Sequence, residues 1–382
     1  MKTRSLLRTC FVAAMLGMVV GACWAAPLLP VTTVGDWDNG SHMPGSPGTG
    51  NAPDINGLGR VDYPYRIGVT EVTNDQYAQL LNDVAKTADP YGLYNTSMSS
   101  DPHGGIFRAG TGTSANPWSY TPKSGLENHP VTFVSWYDAV RFCNYRSNQV
   151  NLTGGIPWAA TNPTPTEYAG PGTGTPGGYV ITNGGKDSGI VQVPAPGTRL
   201  IYADPKGQGG PNAPDPAYYL LPTENEWYKA AYYKGGSLNA GYWDYPTRSN
   251  VAPKSELPPG SNPNGSANLT VPGAPLAVKF TTPVGAYVYK PSTSAYGTYD
   301  QAGNVWEWDE QPYLFGTARG MRGGSYNNWS LAAKASWVGG AGIASFNYSD
   351  VGFRVILVPE PASLAMLLGC VVWGLIWWLR RK

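Results

Sequence analysis

A chain of 382 residues with a formal net charge of +1 and only 13% charged residues has no basic surface to hold the phosphates of a nucleic acid, so that class of partner is excluded. Its 49 glycines and 35 prolines demand many turns, and its length is ample for a sizeable core. Of the four cysteines, Cys10, Cys23 and Cys370 fall in the terminal segments, which leaves Cys143 alone in the body and rules out an intrachain disulfide there.

Residues 1–25 read as a secretory signal peptide: Lys2, Arg4 and Arg8 precede an apolar run from Cys10 to Val20, and the small residues Gly21, Ala22 and Ala25 follow. About eleven apolar residues are too few to cross a bilayer, which takes roughly 20. Two processing routes stay open. Ordinary signal peptidase fits the small residues, and Val20-Gly21-Ala22-Cys23 has the order of a lipobox.

Residues 26–59 read as an exposed N-terminal segment, and the body as one domain over 60–357 with a long insertion at 149–218. Gly and Pro concentrate in Pro44 to Gly59, Pro163 to Gly178 and Pro205 to Pro216, which predicts loops. Three short helices are each opened by a hydroxyl residue followed three positions later by a carboxylate or amide, the pattern of a capping box. They begin at Thr73-Asn74-Asp75-Gln76, Ser135-Trp136-Tyr137-Asp138 and Thr223-Glu224-Asn225-Glu226. Strand-like runs surround them at Tyr65 to Val69, Val131 to Val134, Tyr179 to Thr182, Val284 to Tyr289 and Gly352 to Leu357. Alternation in Gly178-Tyr179-Val180-Ile181 and in Thr198 to Tyr202 places a hairpin inside the insertion. With no βαβ alternation and no repeat, the pattern predicts an irregular, loop-rich α+β domain.

At the far end, Val358-Pro359-Glu360-Pro361 leads into an apolar stretch over 362–379, closed by Arg380, Arg381 and Lys382. Its 18 residues can just span a bilayer, with the terminal charges on the cytoplasmic side. Residues 358–382 resemble the PEP-CTERM sorting signal of bacteria that make exopolysaccharide. That resemblance implies transient anchoring in the inner membrane, cleavage by an exosortase, and a destination in the cell envelope, at the surface or in the extracellular matrix.

Six further segments stand in order through the body. They are Glu71-Val72-Thr73-Asn74, His129-Pro130-Val131 with Val134-Ser135-Trp136, Leu221 to Trp227, Gly303-Asn304-Val305-Trp306-Glu307-Trp308, Arg322-Gly323-Gly324-Ser325-Tyr326, and Gly352-Phe353-Arg354-Val355. Together they resemble the formylglycine-generating enzyme family, also called sulfatase-modifying factor domains, over about Arg60 to Ile356. The resemblance implies a C-type-lectin-like fold with little regular structure. It also implies, for the enzymes of the family, copper held by two cysteines five residues apart after the Gly-Gly-Ser segment. This sequence has Asn328 and Ala333 at those places, and neither can be a thiolate ligand for soft Cu(I). Cys143, on the apolar face of the second helix, reads as a buried structural thiol.

Relatives that use non-haem iron bind it through histidines, and only His42, His103 and His129 exist here. The first two lie in loops, and His129 before Pro130 reads as a structural hydrogen bonder, so copper and iron are both unexpected cofactors. Calcium is the one metal the pattern could hold: Asp300 and Glu307 flank a glycine turn whose carbonyls suit a hard cation. The family likeness implies the side chains of Asp300 and Glu307 and the carbonyls of Gly303 and Val305 as ligands, and a second set beginning at Asn268 and Leu269 that lacks a downstream aspartate. The competing reading pairs Glu307 with an arginine such as Arg322. The aromatic cluster Trp227, Tyr228, Tyr232, Tyr233, Tyr242, Trp243 and Tyr245 reads as core and loop filler first, and as a surface for sugar rings or peptides second.

Two functions compete. One is a non-catalytic exported module that binds carbohydrate or protein, and the other is an oxygen-dependent oxidoreductase of the same family with a metal site outside its usual pattern. No nucleophile elbow with a histidine partner supports a hydrolase.

Overall fold

Each of the three capping sequences opens a helix in the computed structural model, which describes residues 29–36, 52–55, 57–150, 178–192, 217–270, 280–289, 291–337 and 340–359. In α1 (Asn74–Val84), Thr73 Oγ1 accepts from the Gln76 amide at 3.3 Å, and the Gln76 side chain accepts from the Thr73 amide at 2.9 Å. A single turn, α2 (Ser97–Ser100), follows. Ahead of α3 (Trp136–Val150), Asp138 closes the box despite being one methylene shorter than Glu: its Oδ2 accepts from the Ser135 amide at 2.9 Å while its own amide donates to Ser135 Oγ at 3.1 Å. At α4 (Glu224–Tyr232), Thr223 and Glu226 repeat the exchange. Each cap satisfies amides that a helix start leaves without intrahelical partners.

The strands are short. In chain order they are β1 (Val31–Val34), β2 (Tyr65–Gly68), β3 (Ile106–Ala109), β4 (Ser119–Pro122), β5 (Val180–Gly185), β6 (Ser188–Gln192) and β7 (Ala217–Leu220). Then come β8 (Lys254–Ser255), β9 (Ser266–Ala267), β10 (Trp306–Tyr313), β11 (Ala318–Arg322), β12 (Ala341–Ile343), β13 (Val351–Gly352) and β14 (Ile356–Pro359). One sheet runs β1-β2-β14-β7, all antiparallel, so that the last strand sits between two earlier ones. The other runs β12-β11-β10-β13, with β13 parallel to β10. Three two-stranded pairs complete the set, and with short helices, short strands and long loops the domain is α+β.

The main core joins α1, α3 and the first sheet. Tyr77 stacks on Phe142 at 6.1 Å between ring centroids, and Phe142 meets Phe353 edge-on at 5.3 Å. Two tryptophans tie the helical side to the second sheet in opposite senses: Trp136 Nε1 donates to the Asp309 carbonyl at 2.9 Å, and Trp308 Nε1 donates to the Val134 carbonyl at 3.1 Å. Both indoles are buried, so each NH needs the carbonyl it finds. Cys143 is buried among these side chains.

Two expected strands are not strands. Val131 to Val134 is broken by a bend at Phe133 (φ 59), and its amides reach unrelated loops, Val131 to the Val72 carbonyl and Phe133 to the Tyr348 carbonyl. Val284 to Tyr289 turns at Gly285 (φ 71), where the Ala286 amide bonds back to the Pro283 carbonyl. The run from Gly352 to Leu357 is divided, β13 and β14 belonging to different sheets. Within the insertion, Val180 pairs with Gln192 across a hairpin, while Thr198 to Tyr202 lies outside the described residues. Residues 1–25 and the apolar stretch over 362–379 also lie outside them.

On α4, Lys229 is buried with no carboxylate in contact among the described residues; its Nζ donates to the carbonyls of Asp36 and Val61 at 3.2 and 3.3 Å. Burial pulls its pKa down to about 7, against the pull of Asp36 and Asp62. The free lysine titrates near 10.4, so between pH 7 and that value the unfolded chain binds more protons and folding stability rises with pH. Lys229→Met is expected to abolish that rise, as read by urea unfolding at pH 7.5 and 9.5. An equal pH slope in both proteins would clear Lys229 as its source.

Candidate functional site

The loop from Asp300 to Glu307 is built on left-handed backbone, with φ of 62° at Asp300, 83° at Gly303 and 62° at Asn304. Only glycine serves at 303, because a Cβ there would lie 2.2 Å from the Asn268 carbonyl oxygen. The same closeness lets the Asn304 amide donate to that carbonyl at 2.8 Å. The structure therefore brings Asn268 and Leu269 against Gly303, joining the two predicted ligand sets in one place. The Asn304 side chain knits them further: its Oδ1 accepts from the Thr282 amide at 2.9 Å, and its Nδ2 donates to Glu71 Oε1 at 3.0 Å.

Glu307 is wholly buried and its carboxylate is fully engaged. Arg354 Nε donates to Oε2 at 2.5 Å and Arg354 Nη2 to Oε1 at 2.6 Å, while Trp227 Nε1 donates to Oε2 at 2.6 Å. Its partner is thus Arg354 and not Arg322. Arg322 stands opposite Glu307 on β11, but its guanidinium turns to Glu224 at the start of α4 and to the Trp337 carbonyl. Arg354 has no exposure and so needs a carboxylate within the core, whereas Arg322 finds one at the helix start, where negative charge is itself favoured.

Two more carboxyls share this cation. Burial pushes Asp300 up to about 6, with the Gly285 amide at 2.6 Å and Arg354 opposing it and Glu307 adding to it. Burial, then the charges of Asp300 and Glu307, hold Glu71 well above the usual carboxylate range, and Glu71 Oε2 has no hydrogen-bond partner. Calcium takes six to eight oxygens. Here Asp300, Gly303, Val305 and Glu307 do share one loop, but Glu307 is committed to Arg354 and Trp227. As arranged, the donor set does not fit a calcium ion without displacing the guanidinium. No group of three or more His, Cys, Asp or Glu side chains suited to a metal occurs among the described residues.

Asn304 also bridges to the Gly-Gly-Ser segment, its carbonyl accepting from the Tyr326 amide at 3.0 Å. Ser325 Oγ lies 2.7 Å from both Asn328 Oδ1 and Asp350 Oδ2, and the Ser325 amide donates to Asn328 Oδ1 at 3.0 Å. Asn328 is thereby fixed as a turn-closing amide. Ala333 is buried beside Tyr245 and Leu269, and its carbonyl accepts from the Tyr232 hydroxyl.

Beside this segment, His103 stacks on Phe280 (4.8 Å between centroids, 21° between planes) and on Tyr326 (5.6 Å, 4°). Asp101 Oδ1 lies 2.8 Å from His103 Nδ1, which leaves Nε2 as the acceptor of a neutral ring. His103 is about a quarter exposed and Phe280 40%, so the outer end of this stack is accessible. His129 is apart from that stack in role: its Nδ1 meets Thr281 Oγ1 at 2.9 Å, and burial lowers its pKa. His42 lies outside the described residues. The aromatic cluster of α4 is mostly interior, with Trp227, Tyr228, Tyr232 and Tyr233 buried and Tyr228 against Tyr232 at 4.7 Å.

Glu71, Arg354 and the His103 stack were not among the residues that sequence reasoning proposed for a site. The Asp101-Pro102-His103 spacing carries a local signal for an oriented imidazole; the other contacts join distant segments and carry none.

A family model described as "Sulfatase-modifying factor enzyme 1-like domain" matches residues 56–358. Among solved structures, the chain is similar to CarF at 23% identity and a TM-score of 0.44, covering 87% of this chain and 99% of that one. It is similar to Treponema denticola variable protein 1 at 20% and 0.43, covering 86% and 95%, and to PvdO from Pseudomonas aeruginosa at 18% and 0.42, covering 88% and 96%.

Proposed function

Because the chain belongs to the sulfatase-modifying factor enzyme 1-like family, we propose that it is an exported, non-catalytic module of that family that binds carbohydrate or protein outside the cell. The observation that carries this reading is the pair Asn328 and Ala333, an amide held by Ser325 and a buried methyl. The resemblance implies thiolates at those places in the copper-dependent members, and hard or apolar groups cannot replace them for Cu(I). The ligand surface in this reading is the exposed ring of Phe280 with the edge of His103 on which it stacks. Ring faces cover the apolar side of a sugar or a peptide side chain, and the His103 Nε2 atom accepts a hydrogen bond from a hydroxyl or amide.

Export rests on the signal-like segment at 1–25, and delivery to the envelope, surface or matrix on the PEP-CTERM-like segment at 358–382. In this reading signal peptidase and an exosortase process the two ends, and the segment at 362–379 holds the chain in the inner membrane until then.

A glycan array and oxygen-uptake measurements on the purified protein test the proposal together. The expected result is selective binding that Phe280→Ala weakens about tenfold, roughly 1.4 kcal/mol, with no oxygen consumption on a thiol peptide after copper or iron loading. Turnover by the metal-loaded protein would replace this reading with the oxidoreductase, and a blank array would move the ligand from carbohydrate to protein.

A further inference from the structure

The β5–β6 hairpin is held at its root and at its tip by different chemistry. At the root, Asn144 Oδ1 accepts from the Tyr179 amide at 3.0 Å, its Nδ2 donates to the Tyr179 carbonyl at 3.1 Å, and Ile181 is buried in the core. Beyond Ile181 every residue of the hairpin is exposed or half-buried. At the tip, the Asp187 amide donates to the Tyr91 carbonyl at 3.4 Å and Arg141 Nη2 donates to the Ser188 carbonyl at 3.0 Å. The Lys186 stem crosses Gly92, where a Cβ would lie 2.5 Å from Lys186 Cγ. Two carboxyls meet under this tip. Asp138 Oδ2 closes the α3 cap, and the side chains of Ser135 and Asn347 that bond to it also bond to Asp187, so the two carboxyls lie side by side. Asp138 Oδ1 and Asp187 Oδ1 are both buried, and among the described residues no donor reaches either atom. Burial, then the charge of Asp187, hold Asp138 well above the usual carboxylate range; burial raises Asp187 too, against the bonds from Ser135 and Asn347 and the charges of Lys186 and Arg141. Tyr77 of α1 faces the pair, and Tyr91 of the following loop lies under the Arg141 guanidinium. Asp89, in that same loop, is occupied by the Leu93 and Tyr94 amides at 2.9 Å.

We propose that Asp138 and Asp187 form a proton-operated latch: a proton bound between the two carboxyls holds the hairpin tip on α3, and its loss lifts the tip away. A protonated carboxyl donates where an ionised one only accepts, so one proton supplies the donor that both buried oxygens lack. Ionised together, the carboxylates repel each other, and each keeps an oxygen away from water with nothing to bond it. Asp138 remains the cap of α3 in both states, and Asp187 is the group that moves into water. The docked tip binds more protons than the lifted one. Docking is therefore complete below the ordinary aspartate range, near 3.9, and weakens as pH rises through the raised values.

The test is the distance between two nitroxide labels on the full chain, one at Ser188→Cys on the tip and one at Asp75→Cys on α1, both exposed positions. Cys10, Cys23 and Cys370 are replaced by Ser, and Cys143 is buried away from the label. The expected result is one narrow distance at pH 5 and a second population at pH 8, the ratio of docked to lifted tips falling about tenfold, as one unit of pKa difference between the two states requires. Asp187→Asn carries a neutral donor in a left-handed position that Asn tolerates, so it should stay docked at both pH values with an unchanged far-ultraviolet circular dichroism spectrum. A parent whose distances are the same at pH 5 and pH 8 overturns the proposal. So does an Asp187→Asn variant that still responds to pH, or one that is lifted at both.

Discussion

Arg354→Met is expected to destabilise the protein by about 3–5 kcal/mol, because it leaves Glu307 charged, buried and without its cation. Loss on that scale takes a third or more from a domain whose total stability is roughly 5–15 kcal/mol. The guanidinium also donates to the carbonyls of Gly68 and Tyr299 at 2.9 and 2.8 Å, so the variant strands acceptors at the end of β2 and in the loop before Asp300 as well as a carboxylate. The loss should depend on pH. In the native protein Glu71 and Asp300 are already raised above their unfolded values, so the folded state binds more protons than the unfolded one across their titration window. Stability from that source is full below the unfolded carboxylate range and declines as pH rises toward about 6. Removing Arg354 takes away an attraction that lowers both groups, so the variant should be weaker at pH 8 than at pH 5 by more than the parent is. Adding Glu307→Leu should restore part of the stability by removing the orphaned charge. Urea unfolding at the two pH values measures all three proteins, and a single-variant loss under 1 kcal/mol would show that the pair contributes little.

Trp136→Ala is expected to cost a further class of energy, about 3–5 kcal/mol from lost burial and the cavity left behind. The indole has no exposure, meets Tyr137 and Tyr179 edge-on at 5.5 and 6.5 Å, and lies under the Arg319 guanidinium at 4.3 Å. Its truncation also unpairs the Asp309 carbonyl, which is buried beside a carboxyl that burial has pushed up to about 8. Trp136→Phe should retain most of the packing and lose chiefly the hydrogen bond, for about 1 kcal/mol. Thermal unfolding of both variants checks the ranking, and equal losses would mean that the site collapses around the smaller side chain.

What the sequence made legible was what residues close in the chain decide. A capping box is complete within four residues, so all three helix starts were readable, including the one closed by Asp138. The family segments likewise marked the loop around Gly303, whose glycine is fixed by the approach of Asn268. Partner choice over long separations was not readable. The sequence offered Glu307 an arginine such as Arg322, and the register of β10 and β11 even sets Arg322 opposite it, yet the wholly buried Arg354 takes the carboxylate through two hydrogen bonds. Val131 to Val134 has strand composition, but the amides of Val131 and Phe133 meet two different loops, and no ladder forms. The stack of Phe280, His103 and Tyr326 draws on three separate segments, of which only the Asp101 to His103 step is local.

The position of β14 bears on how the domain stands mechanical load. Tension transmitted through a membrane-held tail would enter at Pro359, in a strand hydrogen-bonded on both edges, with Ile356 and Leu357 paired to β2 and Ile356 through Pro359 paired to β7. Two rows of bonds would have to shear together, where a strand at the rim of the sheet could be unzipped one bond at a time. The two residues nearest such a tether, Val358 and Pro359, pair with β7 alone, and the grip on both edges begins at Leu357.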